Sequence, residues 1–223
     1  MSRDAILGKI RRSLGATDGD VERRASVSDR LTRPPRGLIP QRAKLPANEQ
    51  VDLFCAYVEK VSATIARVAD ASQIPAAVAD YLRQKNLPLA LRRGTDPQLA
   101  ALPWDNEPML AVKIGPSDGS DMAGLSHAFA GVAETGTLVL ASGEANPTTL
   151  NFLPEYHIVV IRECDVAGDM ETVWTRLRAH YGKGEMPRTV NMITGPSRSG
   201  DIEQTILLGA HGPRSLHVIV VAD

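Results

Sequence analysis

Apolar positions recur along this chain with two different periods. Ile6, Leu7, Ile10 and Leu14 fall at helical spacing and Gly15 ends the run, which predicts an amphipathic helix over residues 3–14. Residues 16–46 show no sustained period and carry Arg23-Arg24, Pro34-Pro35, Pro40 and Pro46, so they read as a linker. From about Asn48 a long helix is predicted, with Val51, Phe54, Val58, Val61, Ile65 and Val68 as its stripe. A second helix starts at Ser72 as N-cap and runs through Val78 to Leu82. Residues 88–92 and 109–114 suit short strands.

The second half is denser in signals. Residues 132–140 read as a tight turn feeding a strand. His157 to Ile161 is an almost unbroken apolar run, as in a strand buried on both faces. Then follow a helix over 169–179, a strand over 189–194, a helix over 200–208 and a last strand from Leu216 to Val221. Strands alternating with helices predict a three-layer α/β/α domain with a mostly parallel sheet, residues 47–223, behind an N-terminal helical extension, residues 1–46.

Charge sharpens that division. Residues 1–46 hold eleven Lys/Arg against five Asp/Glu, whereas residues 47–223 hold fourteen against twenty-one. The leader is either a basic arm for an acidic partner or a solvated tail. Aromatics make up only 4% of the chain, which argues against a stacking platform for nucleic acid. No stretch reaches the roughly 20 apolar residues of a membrane span, and no signal-peptide core is seen, so a cytoplasmic protein is expected. Cys55 and Cys164 are the only cysteines and are expected to be reduced thiols. Four cysteine ligands are the norm for an iron–sulfur cluster, so no cluster is expected in this chain. Nor do any clustered carboxylates or His pairs suggest another metal.

The densest chemistry lies at Thr194-Gly195-Pro196-Ser197-Arg198-Ser199. If 189–194 is a parallel strand, this loop lies at its carboxyl end, where open α/β sheets bind ligands. Ser197 and Ser199 offer hydroxyls and Arg198 a fork for a carboxylate or phosphate. The same residues also read as an ordinary helix start, with Ser199 or Gly200 as cap. A second constellation, Glu134-Thr135-Gly136-Thr137, offers Glu134 as general base or nucleophile, or else a turn built on Gly136. Asn146-Pro147 reads as a helix cap. A helix over 200–208 would carry the chain across the sheet, so His211 is placed at the edge opposite Ser197. His157, in an apolar strand, reads as a core histidine.

Four ordered motifs resemble one family. Ala133-Glu134-Thr135-Gly136-Thr137-Leu138, Leu153-Pro154-Glu155-Tyr156-His157-Ile158, Thr194-Gly195-Pro196-Ser197-Arg198 with Asp201-Ile202-Glu203, and Gly209-Ala210-His211-Gly212-Pro213 are similar to the lactate-utilization protein C family of LUD-domain proteins. The likeness covers roughly residues 48–222, with Ser199-Gly200 a mild departure. It implies a fold akin to the ribose-phosphate isomerase and CoA-transferase superfamily. It also implies a role in oxidising L-lactate to pyruvate, as the cluster-free member beside iron–sulfur partner proteins. It assigns no catalytic residue; a role for Glu134 would follow only by fold analogy. The alternative is a self-sufficient enzyme or sensor holding a small anion (acyl-CoA, sugar phosphate or carboxylate) at the 194–199 loop, with a homo-oligomer possible.

Overall fold

The computed structural model describes residues 2–17, 19–33, 35–182, 184–199 and 207–222. The chain divides into two compact units, Met1–Leu38 and Ile39–Asp223.

In the first unit α1 (Arg3–Ser13) is capped by Ser2, whose side chain accepts from the Ala5 amide. The linker expected after it is in part a helix, α2 (Val21–Thr32), started by Asp20, which accepts from the Arg23 amide. Neither helix buries a residue.

The second unit begins before the expected boundary. Ala43 is buried, and an added Cβ on Gly168 would lie 2.1 Å from the Ala43 carbonyl oxygen. The first long helix, α3 (Ala47–Lys60), buries Val51, Phe54 and Val58. It does not continue through Ile65 and Val68 as the stripe suggested. Ser62 takes a left-handed φ of 68°, and Thr64–Val68 becomes strand β1. Its branched residues fit a pleated strand as well as a helical stripe. Next come α4 (Ile74–Gln84), β2 (Ala90–Arg93), α5 (Pro97–Ala100), β3 (Ala111–Ile114) and β4 (Ala123–His127). Asp70, rather than Ser72, anchors the turn before α4, accepting from the Ser72 amide at 2.8 Å. After β4 the chain forms β5 (Ala130–Val132), β6 (Thr137–Ala141), α6 (Thr148–Phe152), β7 (Tyr156–Arg162), β8 (Val166–Ala167) and α7 (Met170–Tyr181). It ends with β9 (Val190–Ile193), β10 (Arg198–Ser199), β11 (Leu207–Leu208) and β12 (Ser215–Val221).

Among the described residues the main sheet runs β1-β12-β7-β4-β2-β3, every pairing parallel. Its two central strands are the continuous apolar runs. Ile158, Val160, Ile219 and Val221 pack on one face with Ile74, Val78 and Leu82 of α4. Val159, Ile161, Val218 and Val220 pack on the other with Val51, Phe54 and Val58 of α3. The expected α/β architecture with a largely parallel sheet is therefore present.

A second sheet, β8-β5-β6-β9, was not expected. Its alternation is clean. Leu138 and Leu140 of β6 face the main sheet, while Val139 faces Val173 and Leu177 of α7. Strand β9 belongs here, antiparallel to β6, and not to the parallel sheet. Residues 200–206 of the expected final helix lie outside the described residues; Leu207–Leu208 is extended and pairs antiparallel with Arg198–Ser199.

Candidate functional site

The loop after β9 closes a cavity of about 290 Å³ lined by Thr194 to Arg198, His211 to Pro213, and by Asn151, His157 and Leu216. His157 and Leu216 are the second residues of β7 and β12. The cavity therefore lies at the amino edge of the parallel sheet, not the carboxyl edge that a parallel 189–194 strand would have implied. Because β9 runs antiparallel in its own sheet, its carboxyl end is delivered to the other strands' starting points.

The loop is tied on both sides. The Ser197 amide donates to the Pro213 carbonyl at 2.8 Å, and the Gly209 amide donates to the Ser197 carbonyl at 3.0 Å. The His211 amide donates to Ser197 Oγ at 3.3 Å. His211 and Ser197 thus lie side by side, against the expectation that a crossing helix would separate them. The chain returns on itself through the β10–β11 pair instead.

The two sequence motifs meet behind this loop. Thr135 Oγ1 lies 2.7 Å from Thr137 Oγ1, and Thr137 Oγ1 lies 2.7 Å from Thr194 Oγ1. Gly136 and Gly195 both have positive φ, 65° and 84°. An added Cβ on Gly136 would be 2.7 Å from the Val58 nitrogen, and one on Gly195 would be 2.7 Å from the Val61 carbonyl oxygen. Both glycines therefore permit close approach to the end of α3. Arg198 donates from Nη2 to that same Val61 carbonyl, a cation at a helix C-terminus. Ser199 sits in β10, paired with Leu207.

Glu134 stands apart. Its carboxylate accepts from the Met170 amide at 3.0 Å, at the start of α7, and it does not line the cavity. Thr135, Gly136 and Thr137 support the loop from behind without lining the cavity.

The polar floor comes from residues the sequence did not mark for binding. Ser126 Oγ donates to Asn151 Oδ1 at 2.9 Å. His157 Nε2 lies 3.0 Å from the same Ser126 Oγ. With the serine proton given to Asn151, Nε2 must carry the proton that reaches Ser126, and Nδ1 is left as an acceptor. Among the described residues Asn151 Nδ2 and His157 Nδ1 are buried without a partner. The floor thus offers one donor and one acceptor; reversing the relay exchanges the two roles but keeps one of each. Burial pushes the His157 imidazole down to about 3, so this floor is uncharged at neutral pH. A histidine within an apolar run reads as core; its place in the Leu153-Pro154-Glu155-Tyr156-His157-Ile158 motif was the one signal that set it apart.

A family model described as LUD domain matches residues 51–221. The chain belongs to the LUD domain family. It is 37% identical over 101 residues to "Lactate utilization protein C" of Geobacillus sp. (strain WCH70), covering 45% of this chain and 42% of that protein. It is 32% identical over 120 residues to the protein of the same name from Shouchella clausii (strain KSM-K16), covering 54% and 52%. The chain thus spans about half the length of the curated relatives it matches. A crystal structure of a DUF162 family protein from Deinococcus radiodurans superposes with a TM-score of 0.55 at 24% identity, covering 79% of this chain and 99% of that one. At that identity it supports the fold of the LUD domain alone.

Among the described residues of this LUD protein, no helix is long and apolar enough to cross a membrane. No group of three or more His, Cys, Asp or Glu among them is arranged to hold a metal ion.

Proposed function

We propose that this LUD protein serves lactate utilization as a cluster-free member acting with iron–sulfur partner proteins, and that its amino-edge cavity holds a small hydroxycarboxylate. The observation that carries the reading is the LUD match over residues 51–221 together with relatives named lactate utilization protein C. The two cysteines, Cys55 and Cys164, are too few for a four-thiolate cluster, which supports a reading with electron carriers on partners.

The cavity supports the ligand class. A hydroxyl can donate to His157 Nδ1 while an oxygen of the same molecule accepts from Asn151 Nδ2. The volume of about 290 Å³ suits a ligand of a few heavy atoms up to the lower end of ordinary ligand sites. Arg198, on the cavity wall, supplies a positive field for a carboxylate.

Deletion of the gene is expected to abolish growth on L-lactate but not on pyruvate, with rescue by the wild-type chain and co-purification of iron-containing proteins. Unchanged growth on L-lactate overturns the role. Calorimetric titration with L-lactate tests the cavity: binding is expected in the wild type and lost in Asn151→Leu, and equal binding in both removes the cavity from the reading.

A further inference from the structure

The opposite edge of the sheet carries a second polar cavity, of about 520 Å³. It lies at the point where the chain reverses its path across the sheet. Strand β3 lies on one side of β2 and β4 on the other, and later strands continue from β4 outward. Open α/β sheets bind ligands outside the carboxyl ends of the strands at such a point.

Two residues flank this crevice. Asp96 follows β2, and His127 is the last residue of β4. Asp96 is held rigidly: Oδ1 accepts from the Gln98 amide at 2.9 Å and the Leu99 amide at 3.0 Å. Its other oxygen, Oδ2, lies 3.5 Å from His127 Nδ1. Beside that carboxylate the neutral imidazole carries its proton on Nδ1 and leaves Nε2 as a lone-pair acceptor. The His127 side chain is only 10% exposed, and Nε2 is buried without a partner among the described residues.

Asn146 supplies a second acceptor. It does not cap α6 as its sequence suggested; Pro147 occupies that place. Instead Nδ2 reaches the Ala141 carbonyl at 3.4 Å, and Oδ1 is buried and unpartnered among the described residues. Gly94 lets the loop carrying Asn146 close over β2, since an added Cβ would lie 2.0 Å from the Ala145 carbonyl oxygen. The lining also includes Phe129, His180 and Tyr181, with ring centroids of Phe129 and His180 5.4 Å apart.

The buried, unmet polar atoms on the residues lining this cavity are thus acceptors. Its charged lining comprises Asp96, Asp165 and Arg162, and Arg162 Nε donates to Asp165 Oδ2 at 2.8 Å. A hydroxyl ligand brings acceptors as well as donors; an ammonium brings donors only, and its charge suits an acidic, aromatic-lined cavity. We propose that this carboxyl-edge cavity is a binding site for a small primary amine in its ammonium form, which donates to His127 Nε2 and Asn146 Oδ1. The inference is independent of the lactate reading.

The test is a titration of the full chain, labelled with 15N-histidine, read at the imidazole nitrogens. The probes are methylammonium and ethanolamine, with tetramethylammonium as a donor-free cation, and xylitol and L-lactate as donor-and-acceptor compounds. The free protein is expected to show His127 protonated on Nδ1, and a primary amine is expected to shift Nε2 saturably where tetramethylammonium does not. Asn146→Ala is expected to weaken that binding about tenfold, the loss of one hydrogen bond. Asp96→Asn, which can still cap α5, is expected to weaken it at least as much. A free-protein proton on Nε2, no shift with either amine, an Nε2 response to xylitol or L-lactate in place of the amines, or wild-type affinity in either variant overturns the proposal.

Discussion

Neighbouring strands of one sheet end in histidines at opposite edges. His157 is the second residue of β7, and its Nε2 meets a hydroxyl, that of Ser126. His127 closes β4 and faces a carboxylate, Asp96. Both are largely or wholly buried, and both leave one ring nitrogen unmet among the described residues. The partner decides the difference. A serine lends no charge, so burial alone holds His157 neutral, as one link in a relay ending at Asn151. A carboxylate fixes a tautomer and adds a negative field, making the carboxyl edge a place for donors and positive charge. Burial of an imidazole therefore says little about its use until the atom on its far side is known.

The largest expected effect separates the two edges by pH. His157 falls to about 3 and His217, stacked on Tyr81, to about 4, both chiefly through burial. In the unfolded chain both return to about 6.5 and take up protons, so stability is fully present above that pH and falls as pH falls. Each histidine contributes about 1.4 kcal/mol of loss per pH unit inside its window. For Asp96 burial raises the carboxyl, but the contacts from His127 and the α5 amides outweigh it and hold it below its ordinary value. Its contribution is present above about pH 4 and is lost only below that. Denaturant titrations between pH 7 and 3 should show most of the amino-edge loss before the Asp96 loss begins. In His157→Leu the slope between pH 6.5 and 4 should drop by one proton; an unchanged slope breaks the comparison.

Steric tests come next. Gly94→Ala is expected to cost about 2–3 kcal/mol, because its Cβ meets a backbone carbonyl that can move only with the 145–147 loop. The loss should be accompanied by altered His127 signals and unaltered His157 signals. Asn151→Ala is expected to cost about 2 kcal/mol by removing a wholly buried hydrogen-bonding side chain and forcing the Ser126 hydroxyl to turn to His157, with the reverse pattern of signals. If either change disturbs both histidines alike, the two edges are one coupled site.

Much of this arrangement was legible in the chain. The apolar runs at 157–161 and 216–221 read as strands, and they form the centre of the sheet. In the 194–199 loop, Gly-Pro followed by two serines and an arginine offers turn and polar groups together, and residues 194–198 line a cavity. What failed was topology. The strand before that loop has the same local pattern in either sheet, so its antiparallel pairing with β6 was invisible and the cavity was assigned to the wrong edge. Ile65 and Val68 fitted a helical stripe as well as a strand, and only pairing with β12 decides. The partners Asp96 and His127 belong to different strand ends, and no local spacing joins them.

The smallest expected effect concerns Glu134, whose carboxylate was the sequence's candidate for chemistry. It spends an oxygen on the Met170 amide, beside Asp169, which already caps α7 through the Thr172 amide at 2.8 Å. Glu134→Gln keeps an acceptor for Met170 and removes one charge near a helix N-terminus, a change of about 0.5 kcal/mol. A structural Glu134 therefore predicts near-wild-type stability, full rescue of growth on L-lactate and unchanged histidine signals at both edges. Glu134→Ala should cost more than Glu134→Gln, since it strands the Met170 amide. A catalytic Glu134 predicts the opposite order of consequences: Gln would fold normally yet fail to rescue. That outcome would move the chemistry away from both cavities to the β5–β6 turn, and neither histidine would then mark the reacting site.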